Sequence, residues 1–279
     1  MRRQKHRQAR LRRLAILFFI VGLSLLLLPT VAGLGRKHSD ELAVNRYQQK
    51  KVAASVPTRL RRYNQALAAG RTPAAAPVAA ALSGTLGYLS IPSIHIAKAP
   101  IYYGADDATL AKGIGLLPHT SLPTGGKSTL SVLSGHSGFE NQIIFDNIRH
   151  LKNGDYFYLT TFGQQRRAYR VYQRKIVTPA GADAAAAIKI QPGQDITVLL
   201  TCTPLFINSH RLLIYGKRVP LKTAGAMPVA VRDQWGFAHL LLLLAAVVLL
   251  IALLVIIGHL KQARRERRSR QRRGPRPEA

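Results

Sequence analysis

The sequence is organised around Ile196-Thr-Val-Leu-Leu-Thr-Cys-Thr-Pro204, which contains the only cysteine of the chain. Its residues alternate with a period of two and are largely apolar, which predicts a β-strand that is mostly buried on both faces. Pro204 cannot continue a central strand, so the strand is expected to end within a residue or two of the cysteine. Cys202 is therefore predicted at a strand end, where its sulfur can meet solvent and substrate.

A second strand is predicted directly afterwards, over Arg211-Leu-Leu-Ile-Tyr-Gly-Lys-Arg-Val219. The connection between the two strands contains Pro204, Asn208 and Ser209, which are residues that favour turns. If the strands pair, Arg211 enters its strand close to the point where Cys202 leaves the previous one. A neighbouring cation favours the reactive thiolate, and a guanidinium group can stabilise an oxyanion.

A proton carrier for such a pair is suggested by Leu130-Ser-Val-Leu-Ser-Gly-His-Ser-Gly138. His136 follows an apolar stretch and has glycines close by on both sides, where backbone and substrate can approach each other closely. The residues alone leave other interpretations open. Cys202 could be a small buried hydrophobe, His136 an ordinary loop histidine and Arg211 a charge on the surface of a barrel.

Three motifs in this order resemble the His, Cys and Arg motifs of the sortase family. They are Ser134-Gly-His-Ser-Gly138, Leu200-Thr-Cys-Thr-Pro204 and Asn208-Ser-His-Arg-Leu212. The flanking sequence is similar to that of class C sortases, which polymerise pilins. The similar stretches are Gly87-Tyr-Leu-Ser-Ile-Pro92, Pro100-Ile-Tyr-Tyr-Gly104, Gly113-Ile-Gly-Leu-Leu-Pro-His-Thr-Ser-Leu-Pro-Thr-Gly-Gly126 and Leu151-Lys-Asn-Gly-Asp155. The resemblance covers residues 84–220.

The resemblance implies an activity and a role for each motif. Cys202 would be the nucleophile that forms an acyl-thioester, His136 the general acid and base, and Arg211 the group that stabilises the oxyanion or the substrate. The substrates would be pilins or surface proteins with an LPxTG-like sorting signal, and the acceptor a pilin lysine or, in a housekeeping relative, the amine of a cell-wall precursor. Nothing in this chemistry requires a metal or an organic cofactor.

The text from Gly84 onward is rich in short predicted strands that are separated by Gly, Pro and Asn turns. This pattern predicts an all-β barrel or sandwich, and the resemblance implies a mostly β, eight-stranded sortase-type barrel with short helices. The predicted strands are 87–91, 94–97, 128–133, 156–159, 167–176, 196–202 and 211–219, and the predicted short helices are 107–112, 144–150 and 180–187. Upstream, 40–67 is expected to form one or two helices broken at Pro57. This upstream region has no Asp-Pro dipeptide of the kind that marks the class C lid, so no lid contacts are assigned.

The formal charge of +29 is extreme, and alone it would suggest nucleic acid. Its position indicates a membrane instead, because seven Lys/Arg precede Leu14, nine follow Leu260, and each cluster adjoins a long apolar run. This is the positive-inside pattern. No aromatic-basic motif accompanies the charge, so nucleic acid is not expected as a partner.

Two apolar runs without Lys, Arg, Asp or Glu, 14–34 and 237–258, are each long enough to cross a bilayer. The first could also be a cleaved signal peptide, although it is long for one. We therefore expect a two-pass membrane protein with an extracytoplasmic catalytic domain and both termini in the cytoplasm. The predicted order is a basic tail (1–13), a transmembrane helix (14–34), a helical extension with an Ala/Pro-rich linker (35–83), the catalytic barrel (84–222), a linker (223–236), a transmembrane helix (237–258) and a basic tail (259–279).

Other motifs are weaker. Gly125-Gly-Lys-Ser128 has Ser121 where a phosphate loop requires glycine, and the histidines lack the close spacing of zinc ligands. Asp146, Asp155 and Asp195 could orient His136 but suit turns or helix caps better. Two other functions remain open: a hydrolytic cysteine protease with water as acceptor, and a non-catalytic, membrane-tethered scaffold that binds the cell wall.

Overall fold

The computed structural model describes residues 19–22, 24, 38–49, 55–73, 83–137, 145–163, 165–179, 182–225, 244–252, 257–258 and 261–262. The chain divides into two compact units. One unit comprises residues 34–234 and the other comprises residues 1–33 and 235–279. The first unit contains the predicted catalytic barrel, and the elements below belong to it.

The barrel unit contains strands with short helices between them. The strands are β1 (Gly87–Ile91), β2 (Ile96–Tyr103), β3 (Ile114–Leu116), β4 (Thr129–Ser134), β5 (Tyr156–Thr161), β6 (Gln165–Val177), β7 (Asp195–Thr203) and β8 (His210–Val219). The α-helices are α1 (38–49), α2 (Ser55–Ala68), α3 (Asp107–Leu110), α4 (Ala182–Ala187) and α5 (Leu221–Gly225). The described residues of this unit also form two 3-10 helices, η1 (Pro92–Ile94) and η2 (Asp146–His150).

The strands form a closed barrel in the order β1-β2-β3-β4-β7-β8-β6-β5. The pairs β2–β3 and β4–β7 are parallel, and the other neighbouring strands are antiparallel. This confirms the predicted eight-stranded, mostly β barrel. The parallel pair β4–β7 matters most for function, because it brings the end of the predicted histidine strand beside the end of the cysteine strand.

Several predicted boundaries were wrong near prolines and in very short elements. The strand predicted over 94–97 lies over Ile96–Tyr103, because Pro92–Ile94 forms a 3-10 turn and the strand continues through Pro100. Strand β3 was not predicted, since its three residues are too few to display an alternating pattern. Predicted helix 144–150 is a 3-10 helix over Asp146–His150, and residue 144 lies outside the described residues.

The two faces of β7 are covered by different apolar clusters. Leu199 belongs to a cluster inside the barrel, whereas Ile196 and Val198 belong to a second cluster on the outer face, next to Ala187 of α4. The prediction of a strand that is largely buried on both faces is confirmed. Because side chains alternate along a strand, Cys202 shares the outer face with Val198 and Leu200.

Helix α2 is part of the barrel unit rather than a detached extension. Leu60 is fully buried and, with Tyr63, packs into the cluster inside the barrel. Asn64 is 3% exposed and binds both backbone polar groups of Leu122: its Nδ2 donates to the carbonyl (2.9 Å) and its Oδ1 accepts from the amide (2.7 Å). The predicted break at Pro57 was wrong, because Pro57 lies in the first turn of α2, where a proline is tolerated.

We expect Asn64→Ala to lower the free energy of unfolding by about 1–3 kcal/mol, because the buried amide of Leu122 would lose its partner and its carbonyl would keep only the bond from the amide of Thr124. Urea unfolding followed by circular dichroism would measure the change. Arg61→Ala is the matched control on an exposed position of the same helix, and we expect it to change the free energy of unfolding by less than about 0.5 kcal/mol. Equal effects of the two substitutions would contradict a specific contribution from Asn64.

The predicted tails and spans fall largely outside the described residues. Within the predicted spans, residues 19–22, 24, 244–252 and 257–258 are described and are helical. Among the described residues, no helix has both the length and the hydrophobicity that a bilayer crossing requires. The tail 1–13 and most of the segments 223–236 and 259–279 also lie outside the described residues.

Candidate active site

Cys202 and Arg211 lie directly opposite each other on two antiparallel strands. Their Cα atoms are register partners in the β7–β8 ladder, one residue before the final pair Thr203–His210. Side chains of directly opposed residues lie on the same face of a sheet, with Cβ atoms about 4.5–5.5 Å apart. The two side chains thus start from neighbouring positions on one face of the sheet, and Cys202 is a half-buried free cysteine.

Two backbone carbonyls fix the guanidinium group of Arg211. Its Nη1 donates to the carbonyl oxygens of Asn208 (3.0 Å) and His210 (3.1 Å), both in or next to the β7–β8 connection. Asn208 has a left-handed backbone conformation (φ 57°), which turns the chain back toward β8. These bonds use one end of the planar guanidinium group, so its other N–H donors remain available to a substrate.

His136 approaches Cys202 from the β4 side of β7, opposite to the β8 side that carries Arg211. In the parallel β4–β7 ladder, Ser134 is the register partner of Leu200, and the amide of Gly135 donates to the carbonyl of Leu200 (3.1 Å), which continues the ladder beyond the strand. Continuing this register by two residues places His136 beside Cys202. Strand β7 lies between β4 and β8, so Cys202 lies between His136 and Arg211.

Hydroxyl groups continue this alignment where the regular ladder ends. Thr201 Oγ1 donates to the carbonyl of Gly135 (2.8 Å), and Ser137 Oγ donates to the carbonyl of Cys202 (2.8 Å). Ser137 is 1% exposed and Thr201 is 3% exposed, so the bond from Thr201 is buried and the bond from Ser137 is partly buried. The two hydroxyls flank His136 and hold its backbone against that of Cys202.

A close contact between a glycine and an aromatic ring positions the histidine loop. A Cβ atom added at Gly135 would lie 2.8 Å from the ring of the fully buried Phe145. The amide of Phe145 donates to the carbonyl of His136 (3.1 Å). The ring of Phe145 therefore fits only because residue 135 has no side chain. The backbone amide of Phe145 also holds the backbone of His136 in place.

We expect Gly135→Ala to lower kcat/KM for peptide transfer at least about tenfold, because the ring and the histidine backbone must separate by a few tenths of an ångström or more. The measurement is transfer of a sorting-signal peptide to an amine by the full chain. Phe145→Leu removes ring atoms at the clash, so the double variant Gly135→Ala/Phe145→Leu should recover part of the loss. A double variant that shows the full sum of both losses would contradict this steric explanation.

The other candidate residues have structural partners elsewhere. Asp195 accepts from the amide of Gly126 (2.7 Å) and from the hydroxyl of Tyr169 (3.1 Å) at the opposite end of β7 from Cys202. Asp155 accepts from the amide of Lys152 (2.7 Å) in a turn, and Asp146 lies 4.0 Å from Arg149. These contacts agree with the interpretation of the three acids as turn and cap residues.

The structure adds three residues that sequence reasoning did not select for the site: Gly135, Ser137 and Phe145. Gly135 and Ser137 lie inside the histidine motif quoted above. The motif marked these positions as part of the site, but it did not reveal which contacts require a glycine and a serine there. Within the described residues, no group of three or more His, Cys, Asp or Glu side chains is arranged to hold a metal ion.

A family model named Sortase domain matches residues 89–219 of the chain. A sortase C from Clostridium perfringens, solved with the C-terminal cell wall sorting motif, is 39% identical, with a TM-score of 0.58; the match covers 64% of this chain and 98% of that one. Sortase C1 of GBS Pilus Island 1 is 32% identical, with a TM-score of 0.59 and coverage of 68% and 97%.

Sortase A of Bacillus anthracis is 28% identical over 137 residues, which are 49% of this chain and 61% of that protein. The chain thus spans about 61% of the length of this relative. The closed barrel and the row of histidine, cysteine and arginine at one end of three adjacent strands agree with these likenesses. The chain belongs to the sortase family of cysteine transpeptidases. The solved structures that it resembles include class C sortases, which confirms the class C resemblance of the sequence.

Proposed function

We propose that this protein is a class C sortase that cleaves an LPxTG-like sorting signal and transfers the acyl group to an amine. The observation that supports the proposal is the strand register: Cys202 pairs with Arg211, and the paired part of β4 ends beside β7 at Ser134, two residues before His136. Its solved relatives include a sortase C solved with the C-terminal cell wall sorting motif and a pilus-island sortase, which favours a pilin as substrate and a pilin lysine as acceptor.

The first half of the proposed reaction forms a thioester. The Cys202 thiolate attacks the carbonyl carbon of the Thr–Gly bond of the signal, and the oxygen of this carbonyl becomes an oxyanion that accepts hydrogen bonds from Arg211. The C–N bond then breaks, and His136 as imidazolium gives its proton to the leaving amine. The acyl group remains on the sulfur, and the imidazole is neutral.

The second half reverses these roles. The incoming amine attacks the thioester carbonyl while neutral His136 removes its proton, and the Cys202 thiolate leaves. Charge and protons balance over the cycle, so the chemistry needs no added oxidant, reductant or metal. Leu200, half-buried on the same face two residues before Cys202 and packed against the outer apolar cluster, provides an apolar surface for the signal peptide.

The proposed location is the cell membrane, with two spans, an extracytoplasmic barrel and cytoplasmic termini. The support is the pair of uncharged apolar runs with their basic flanks. Protease treatment of intact cells tests it: the barrel should be cleaved while a tag on either terminus is protected. A terminal tag that is cleaved as readily as the barrel would contradict the two-span topology.

The direct test of the activity incubates the full chain with an LPxTG-like peptide and an excess of a lysine-containing pilin peptide, and reads the products by mass spectrometry. We expect a product in which the threonine carboxyl is joined to the lysine amine. Cleavage with only the free acid as product would favour a hydrolytic protease. Complete protection of Cys202 from thiol-specific labelling in the native protein would favour a non-catalytic scaffold.

A further inference from the structure

A pocket with an apolar side and several polar side chains lies on the wall of the barrel that faces away from Cys202. Its volume is about 490 Å³, within the range of about 300–1,000 Å³ that is usual for small-molecule sites. It is lined by Tyr88, Ser90, Pro92, His95, Ile96, Ala97, Lys98, Thr160 and Arg166. In the closed strand order, the boundary between β5 and β1 is half-way around the barrel from the boundary between β4 and β7. The pocket is therefore separate from the candidate active site.

One cross-strand row supplies hydrogen-bond donors to this pocket. Thr160 of β5 is the register partner of Tyr88 of β1 on one side and of Arg166 of β6 on the other. Thr160 is only 5% exposed, and its hydroxyl makes no hydrogen bond to any residue that the structure describes. A hydroxyl that lines a pocket and makes no hydrogen bond within the described residues is available to a ligand.

Two cations stand at the same pocket without a compensating carboxylate. Lys98 Nζ lies 5.8 Å from the centre of the Tyr88 ring, and Arg166 Cζ lies 4.3 Å from the centre of the Tyr158 ring. Neither cation forms an ion pair with any carboxylate that the structure describes. The aromatic rings hold both cations in place and leave their N–H groups without an anionic partner.

We propose that this pocket binds a phosphate group of a soluble or lipid-linked ligand. A phosphate monoester carries about −1.5 to −2 charges and three strong acceptor oxygens, which matches two uncompensated cations and an unpaired hydroxyl. A carboxylate offers two oxygens and one charge, so it would leave one cation unmatched. The pocket is larger than a single phosphate group requires, and Pro92, Ile96 and Ala97 give it an apolar side for the rest of the ligand.

The test uses the full chain in a neutral detergent and measures binding of glycerol 1-phosphate and of dihexanoyl phosphatidic acid, a lipid phosphate monoester kept below its micelle concentration, by ³¹P NMR titration. We expect saturable binding that becomes at least about tenfold weaker in Arg166→Gln and in Lys98→Gln. Thr160→Val, which keeps the shape and removes the hydroxyl, should weaken binding severalfold. Tighter binding of the lipid than of glycerol 1-phosphate would identify a headgroup as the source, and equal binding would identify the phosphate group as sufficient.

Arg174→Gln is the matched control, because Arg174 is an exposed arginine of the same strand that does not line the pocket. It should leave the affinity within about twofold of the native value. Equal losses in Arg174→Gln and Arg166→Gln would show a general charge effect and overturn the proposal. No saturable phosphate binding, or acetate binding as tight as phosphate binding, would overturn it too. Peptide transfer should be unchanged in the Arg166 and Lys98 variants. The phosphate-binding result can therefore be judged separately from the proposed function.

Discussion

Cys202→Ala should abolish the covalent adduct with a sorting-signal peptide and reduce peptide transfer to background, a loss of at least about 10⁴-fold. The proposed reaction splits one difficult step into two through the sulfur, and loss of a nucleophile removes both steps. Mass spectrometry of the intact full chain after incubation with the peptide measures the adduct directly. The native chain should gain the mass of the acyl group, and the variant should gain none.

The Cys202→Ala variant should also remain folded, because the side chain is small and half-buried. The melting temperature is therefore the control that separates lost chemistry from lost structure. Thr203→Ala, one residue further along β7 and also half-buried, is the matched substitution and should retain the adduct. An adduct of the same mass on Cys202→Ala would overturn the assignment of the nucleophile.

Arg211→Ala should lower kcat/KM for transfer by about 10²–10³-fold, the usual effect of removing one oxyanion donor. Arg211→Lys should recover only a small part of this loss. The native guanidinium is fixed by the carbonyls of Asn208 and His210, and a lysine ammonium cannot keep these two bonds while presenting a planar fork to the substrate.

The matched control for this prediction is Arg174→Ala, an exposed arginine on the neighbouring strand β6, which should leave kcat/KM within about twofold. Rates should be compared at the same ionic strength, because charge removal alone can change the association rate. Full activity of Arg211→Lys would contradict the need for the guanidinium fork and would reduce the role of Arg211 to a point charge.

The sequence was sufficient for the features that depend on local patterns. The alternation around Cys202 predicted the strand, its burial and its end, and the turn residues after Pro204 predicted the return of Arg211 beside the thiol. The spacing of short strands and turns predicted a barrel, and the family resemblance supplied its eight strands. The start of β1 at Gly87 and its end at Ile91 agree with the prediction.

Features that depend on long-range contacts could not be predicted in this way. Asn64 looks like an ordinary polar residue in a helix, and its partner Leu122 is 58 residues further along the chain. The fit between Gly135 and Phe145 depends on a loop that returns to the barrel. The phosphate pocket draws its donors from β1, β2, β5 and β6, and no short motif contains them.

The parallel pairing of β4 with β7 also determines when a growing chain can become active. Strands β4 and β7 are separated by all of β5, β6 and α4, and Arg211 comes later still, on β8. During synthesis from the amino terminus, the thiol and its two neighbours can meet only after the final strand has emerged and the barrel has closed. In the proposed mechanism, a nascent or half-folded chain thus holds a cysteine without the neighbouring His136 and Arg211, which limits acylation before folding is complete.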